Sequence, residues 1–203
     1  MSIISPPAAT LSQPPPYPIW KFTVNEYHQL IQLGVLSEDD RVELLEGWLV
    51  PQMPRNTQHD VTIDKSQDAL RSQLPAGWRL RVQSAITTSD SEPEPDFAVV
   101  PGPPERYLAH HPFPQDIGML IEVSDTSLDR DRNRKGPLYA GANIPIYWII
   151  NLIEAQVEVY TDPTGPAAVP GYRQRQDFKP GGSVPLVIGG QVVGQVAVSD
   201  LLP

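Results

Sequence analysis

The chain contains no cysteine. Disulfides, thiolate nucleophiles and cysteine zinc sites are thereby excluded, and any metal chemistry must run on carboxylates or histidine. Basic residues are also short, with 15 Lys and Arg against 24 Asp and Glu and a formal net charge of −9. That balance argues against a protein that coats nucleic acid through bulk electrostatics, while leaving room for a local basic groove. No run approaches the ~20 apolar residues of a bilayer-spanning helix. The N-terminal stretch Met1 to Pro18 lacks the basic start and apolar centre of a signal peptide. The expectation is a cytoplasmic protein without membrane contact. Proline, by contrast, is plentiful at 24 residues, so proline-bounded strands and linkers should be common.

A length of 203 residues suits one domain around one core. Residues 1–19 carry Pro6, Pro7, Pro14, Pro15, Pro16 and Pro18 among small and polar residues, and read as a flexible arm that meets the domain through Tyr17 and Trp20. Residues 20–203 read as a single domain, with its core at about 40–165 and a β-rich C-terminal appendage at 166–203. Thr23 and Glu26 have capping-box spacing ahead of a short helix ending at Gly34. Arg41–Leu45 and Trp48–Gln52 read as a hairpin turning at Glu46-Gly47. A second helix follows from Thr57, with His59, Ile63, Ser66, Leu70 and Leu74 on one face. Arg79–Thr88 alternates as a strand with one buried face, and Phe97–Val100 and Met119–Val123 read as central strands. A third helix over Leu128–Ala142 should kink at Gly136-Pro137. Strands at Ile144–Leu152 and Gln156–Tyr160 complete a mixed α/β pattern, a central mixed sheet flanked by helices with extra β-hairpins.

The stretch Ser91-Glu-Pro-Glu-Pro-Asp96 spends three acids and two prolines immediately before a buried strand, where neither residue type pairs well. Asp96 alone reads as a turn residue. Glu122 is harder to set aside, because a carboxylate among Leu120, Ile121 and Val123 costs several kcal/mol unless it is paired, hydrogen-bonded or on a metal. Two carboxylates at neighbouring strand ends make a hard-oxygen site suited to Mg²⁺ or Mn²⁺. Lys135, one helical turn after Asp131, can be led over that pair, with Arg130, Arg132 and Arg134 near enough to hold a phosphate backbone. Taken alone, Lys135 with Asp131 is an ordinary surface helix pair, and His59 a polar residue at a helix start. Glu46 reads as a turn acid and His110-His111 as solvated.

In order along the chain stand Arg41-Val-Glu-Leu-Leu-Glu-Gly47, His59, Ser91-Glu-Pro-Glu-Pro-Asp96, Ile121-Glu-Val-Ser124, Asp131 with Lys135, Tyr139-Ala, and Ile144-Pro-Ile-Tyr-Trp-Ile149. This series resembles the Uma family of restriction-endonuclease-like proteins, within the PD-(D/E)XK nuclease superfamily, over roughly residues 20–165. The resemblance implies a restriction-endonuclease-like core and a Mg²⁺-dependent (or Mn²⁺-dependent) endonuclease acting on nucleic acid, DNA in the first instance, and working as a homodimer. It implies Asp96 and Glu122 as metal ligands, Lys135 as the catalytic lysine, and His59 in the place where relatives put an acid that helps hold the metal or its water. The superfamily pattern has its lysine two residues after the Glu, where this chain has Ser124, so Lys135 stands as a substitute arriving from the helix. A non-catalytic nucleic-acid- or protein-binding module that keeps the fold is the competing reading.

Overall fold

The computed structural model describes residues 18–203. The arm expected over residues 1–19 therefore falls, through Tyr17, outside the described residues. Trp20, expected to meet the domain, is 70 % exposed.

Capping and turn chemistry set the first elements. Thr23 caps α1 (Val24–Gln32) in a reciprocal box with Glu26, its N–H donating to the Glu26 carboxylate at 2.8 Å. β1 (Val42–Leu45) and β2 (Trp48–Pro51) pair as a hairpin whose turn residues, Glu46 and Gly47, have φ of 50° and 83°. Two positive φ values make a type I′ turn, whose twist suits a two-residue hairpin. At Gly47 a Cβ would also lie 2.8 Å from Lys21 Cβ, so glycine answers both demands. α2 (Thr57–Gln73) is capped by Asn56, whose side chain accepts from the His59 N–H at 2.9 Å.

The main sheet runs in the order β3 (Trp78–Val82), β4 (Phe97–Pro101), β5 (Met119–Ser124), β6 (Ile146–Asn151), β7 (Gln156–Pro163), β8 (Tyr172–Phe178). Only β5 and β6 are parallel. Every residue of these two strands is buried, because both faces of the sheet are covered there. On one face Phe97, Ile121, Val123 and Trp148 pack with Ile63 and Leu70 of α2 and with the hairpin β9 (Ser183–Ile188) and β10 (Gln191–Ala197). On the other, Ala98, Leu120 and Ile149 pack with Tyr139 and Tyr147 beneath the β5–β6 crossover. The C-terminal segment read as an appendage thus joins the main core: Val184 and Leu186 are wholly buried in it, and β8 extends the sheet.

The crossover consists of α3 (Leu128–Arg130), a π-type turn over Asp131–Lys135 and α4 (Gly136–Gly141). The Gly136 N–H donates to the Asp131 carbonyl five residues back. Pro137, with no N–H, cannot continue the ordinary ladder, so the kink expected at Gly136-Pro137 takes the form of a widened turn before it.

One expected strand is shorter than its alternation suggests. It stops at Val82 because Gln83 turns left-handed, with φ of 45°. Beyond it the Ile86 N–H donates to the Pro93 carbonyl and the Thr88 N–H to the Ser91 carbonyl, at 3.0 and 2.8 Å. Pro93 and Pro95 have no N–H to return, so no regular ladder forms. Among the described residues no helix is long and apolar enough to cross a membrane.

Candidate active site

Strand periodicity puts Asp96 and Glu122 on the same side of the sheet. Ala98 faces the Tyr139 cluster and is paired with Leu120. Asp96, two residues before Ala98, and Glu122, two after Leu120, therefore share that side. The Val123 N–H donates to Asp96 Oδ2 at 2.8 Å, tying the segment before β4 to β5. His59 Nε2, from the first turn of α2, lies 3.2 Å from the same oxygen, and Asp96 Oδ1 takes only a long 3.4 Å bond from Gln83. Burial by itself pushes the Asp96 carboxyl up, but the bonds from His59 and Val123 outweigh it and hold the group below its usual range. Burial pulls His59 down, and its bond to Asp96 more than reverses that.

Lys135 reaches the same place from the π-type turn. Its Nζ donates to Glu122 Oε1 at 2.9 Å, and the Tyr139 hydroxyl donates to that oxygen at 2.8 Å. Glu43 of β1 lies 3.7 Å from the same Nζ and accepts from the Glu94 N–H at 3.1 Å. Glu43, Lys135, Glu122 and Asp96 are only 2, 3, 4 and 8 % exposed, so water does little to screen them. Burial opposes charge on Lys135, yet Glu122, Glu43 and Asp131 together raise its pKa, and it stands as an ammonium. Burial likewise pushes Glu122 up, and the attraction of Lys135 offsets this only in part. Burial raises the Tyr139 phenol well above its ordinary range, which keeps it a donor.

Of these groups Glu43, His59, Asp96, Glu122 and Lys135 line one cleft of about 70 Å³, enough for several waters. Its walls hold six carboxylates (Glu43, Glu94, Asp96, Glu122, Asp125, Asp131) and three full cations (Arg55, Arg130, Lys135). Among the described residues no group of three or more His, Cys, Asp or Glu is arranged to hold a metal ion. The donor set nonetheless fits a hard divalent cation. Asp96 Oδ1 carries one weak bond, Glu122 directs both its hydrogen bonds to Oε1, and Mg²⁺ typically takes one or two carboxylates and keeps waters for the remaining positions.

The four residues expected at the site all line this cleft. Asp131 and Lys135 do not pair with each other as a helix face would have them. Asp131 accepts from Ser124 and Ser127 at 2.7 and 2.6 Å, so Ser124, standing where the superfamily pattern has lysine, braces the turn that delivers Lys135. The three arginines expected at a backbone separate. Arg130 lines the cleft, Arg134 is exposed, and Arg132 turns away to Glu158 and Glu154. His110 is exposed, and His111, its side chain 41 % exposed, lies 3.9 Å from Glu92. Glu43 escaped the reading of the sequence as a site residue, although an acid flanked by Val42, Leu44 and Leu45 carries the same signature as Glu122. Tyr139 offered only its place in a motif series.

A mixed sheet with two acids on one side and a lysine brought over them by the crossover is a restriction-endonuclease-like arrangement. Residues 24–192 match the family Uma2, described as "Putative restriction endonuclease", and the chain belongs to that family. A crystal structure described as "a putative nuclease belonging to DUF820", from Anabaena variabilis, superposes with a TM-score of 0.67 at 17 % identity, covering 89 % of this chain and 97 % of that one. At that identity the likeness speaks for the fold. No curated protein matches the chain.

Proposed function

We propose that this protein is a divalent-metal-dependent endonuclease that hydrolyses phosphodiester bonds in DNA. The carrying observation is the convergence of Asp96 and Glu122 on one side of the sheet with Lys135 Nζ 2.9 Å from Glu122. Family membership supports the same reading. The acid excess in the cleft adds to it, since six carboxylates against three cations repel a phosphate until a cation is added.

Asp96 and Glu122 would hold Mg²⁺ or Mn²⁺. What such an ion contributes when bound is a water of lowered pKa and a polarised phosphoryl oxygen. His59 and the Val123 N–H fix the Asp96 carboxylate, so its freer oxygen keeps one direction. The Lys135 ammonium offsets the buried acids and offers a positive charge to the attacking oxygen and the developing phosphorane. Tyr139, behind the cleft lining, and Glu43, within it, orient Glu122 and Lys135. Two such sites, one per strand, would suit a homodimer, and the exposed outer strand β8 offers an edge for pairing. Light scattering that finds a strict monomer at high concentration rejects the dimer.

The decisive experiment is plasmid cleavage with Mg²⁺ or Mn²⁺, repeated with a chelator and with Asp96→Ala and Glu122→Ala. Metal-dependent nicking lost in all three controls is the expected result, and cleavage that either variant leaves intact rejects the assignment. The competing reading, a binding module without turnover, draws on the net charge of −9. Titration calorimetry separates the two, because that module predicts a folded protein with no saturable Mg²⁺ or Mn²⁺ binding.

A further inference from the structure

The cations around the cleft are not all used alike. Lys135 is engaged by Glu122 and Glu43, and Arg132 by Glu158 and Glu154. Arg130 and Arg55 make no ion pair among the described residues, although both line a cleft rich in carboxylates. The Arg130 contact is a 3.3 Å bond to the Pro51 carbonyl, and its buried Nε has no acceptor. Arg55 donates to the neutral Gln83 side-chain carbonyl at 2.6 Å. The rim acids that might have neutralised them are taken by amides instead: Gln52 donates to Glu94 and Asn56 to Asp125, at 2.8 and 2.7 Å. A guanidinium carries five donors and stays charged at any working pH. Two of them held at one rim with only neutral partners, one with a buried N–H unmet, ask for an anion from outside.

We propose that Arg55 and Arg130 form a two-point phosphate grip, gripping the sugar–phosphate backbone of a nucleic-acid strand at phosphates next to the one at Asp96 and Glu122. The scissile position rests on the nuclease reading; the grip rests on the two arginines alone. Arg55, exposed in the loop before α2, and Arg130 of α3, half-buried, line the cleft from its open side, and the strand lies across them. Arg55 and Arg130 come from separate elements, the loop before α2 and α3, and successive phosphates of one chain can answer both. The proposed ligand is therefore a polynucleotide. The grip places two unpaired cations on a cleft whose lining is otherwise predominantly acidic.

The test is fluorescence anisotropy with a labelled phosphorothioate DNA oligonucleotide, which resists cleavage, in Mg²⁺ over a range of NaCl. The double variant Arg55→Ala/Arg130→Ala should bind about tenfold more weakly near 0.1 M salt and lose roughly 1.5 to 2 from the slope of log K against log salt. The Arg55→Lys/Arg130→Lys pair keeps the charge and should keep the slope, and Arg71→Ala, at the far end of α2, should match the parent. A double alanine variant with the parent slope overturns the grip, as does loss of slope in the lysine pair or an equal effect at Arg71. Because cleavage is not read, the outcomes separate. A protein that shows this salt dependence but cuts nothing with Mg²⁺ or Mn²⁺ loses the nuclease reading and keeps the grip; one that cuts while the double variant binds as the parent does the reverse.

Discussion

Glu122 and Glu158 stand in one row across the sheet. Glu122 of β5 is paired with Ile149 of β6, and Ile149 with Glu158 of β7, so the two acids point to the same side with one strand between them. Both are buried in apolar strands, and both interrupt a hydrophobic pattern in the same way. Their surroundings differ. Glu158, fully buried, receives both prongs of Arg132, the Asn151 amide at 2.7 Å and the Tyr160 hydroxyl at 2.6 Å, with Arg175 3.3 Å away. Burial pushes its carboxyl up, but these partners overcome that and bring it down to about 2. Glu122 has one ammonium, shared with Glu43, and one phenol, and burial leaves it raised. A carboxylate with saturated partners is structural, holding the π-type turn to the sheet through Arg132. A carboxylate left short of partners beside a cleft is available for chemistry.

The largest expected contrast lies in turnover. Asp96→Ala or Glu122→Ala should lower metal-dependent plasmid cleavage by roughly a thousandfold or more, whereas Glu158→Gln should retain cleavage in its folded fraction. Equal losses at the two glutamates would erase the distinction. Stability should reverse the order. Glu158→Ala takes the acceptor from the Asn151 amide and the Tyr160 hydroxyl and leaves Arg132 only Glu154, and should cost about 3–5 kcal/mol in urea unfolding, more than Glu122→Ala, which leaves Lys135 with Glu43.

Acid separates them further. The Glu158 pKa is about 2 when folded and near the ordinary ~4.3 when unfolded. Between these values the unfolded chain binds the proton first, so the stabilisation is full above about pH 4.3 and falls away as pH drops towards 2. Unfolding curves taken from pH 5 to 2 should show this decline, and Glu158→Gln should flatten it; an unchanged decline would assign it elsewhere. The smallest effects come from the phenols. Tyr160→Phe and Tyr139→Phe each remove one donor and should each cost about 1 kcal/mol, but only Tyr139→Phe should alter kcat and its pH profile.

Much of this was legible in the residues. The capping box at Thr23, the glycine turn of the first hairpin and the central strands followed local rules, and the resemblance series led to Asp96, Glu122, Lys135 and His59. The rule that singles out Glu122 is incomplete, since it applies equally to Glu43 in Val-Glu-Leu-Leu, which lines the cleft, and to Glu158 in Gln-Val-Glu-Val-Tyr, which arginines answer. The break at Gln83 was hidden because alternation continues through it and only the left-handed backbone ends the ladder. The reach of the C-terminal valines into the core was hidden for a related reason: short β segments bounded by glycine and proline do not state what they cover.

What the sequence determined by itself is the set of elements and the side each residue takes, because turn, cap and period-two rules act over a few residues. It placed acid 96 at the entry to one strand and acid 122 within the next, and the break before Pro137. Tertiary structure alone decided which buried acid is answered by an arginine, which by a lysine, and which arginines remain unanswered at the rim. Those partners come from segments tens of residues apart, and the balance between burial cost and pairing is settled only when the fold brings them within hydrogen-bonding distance.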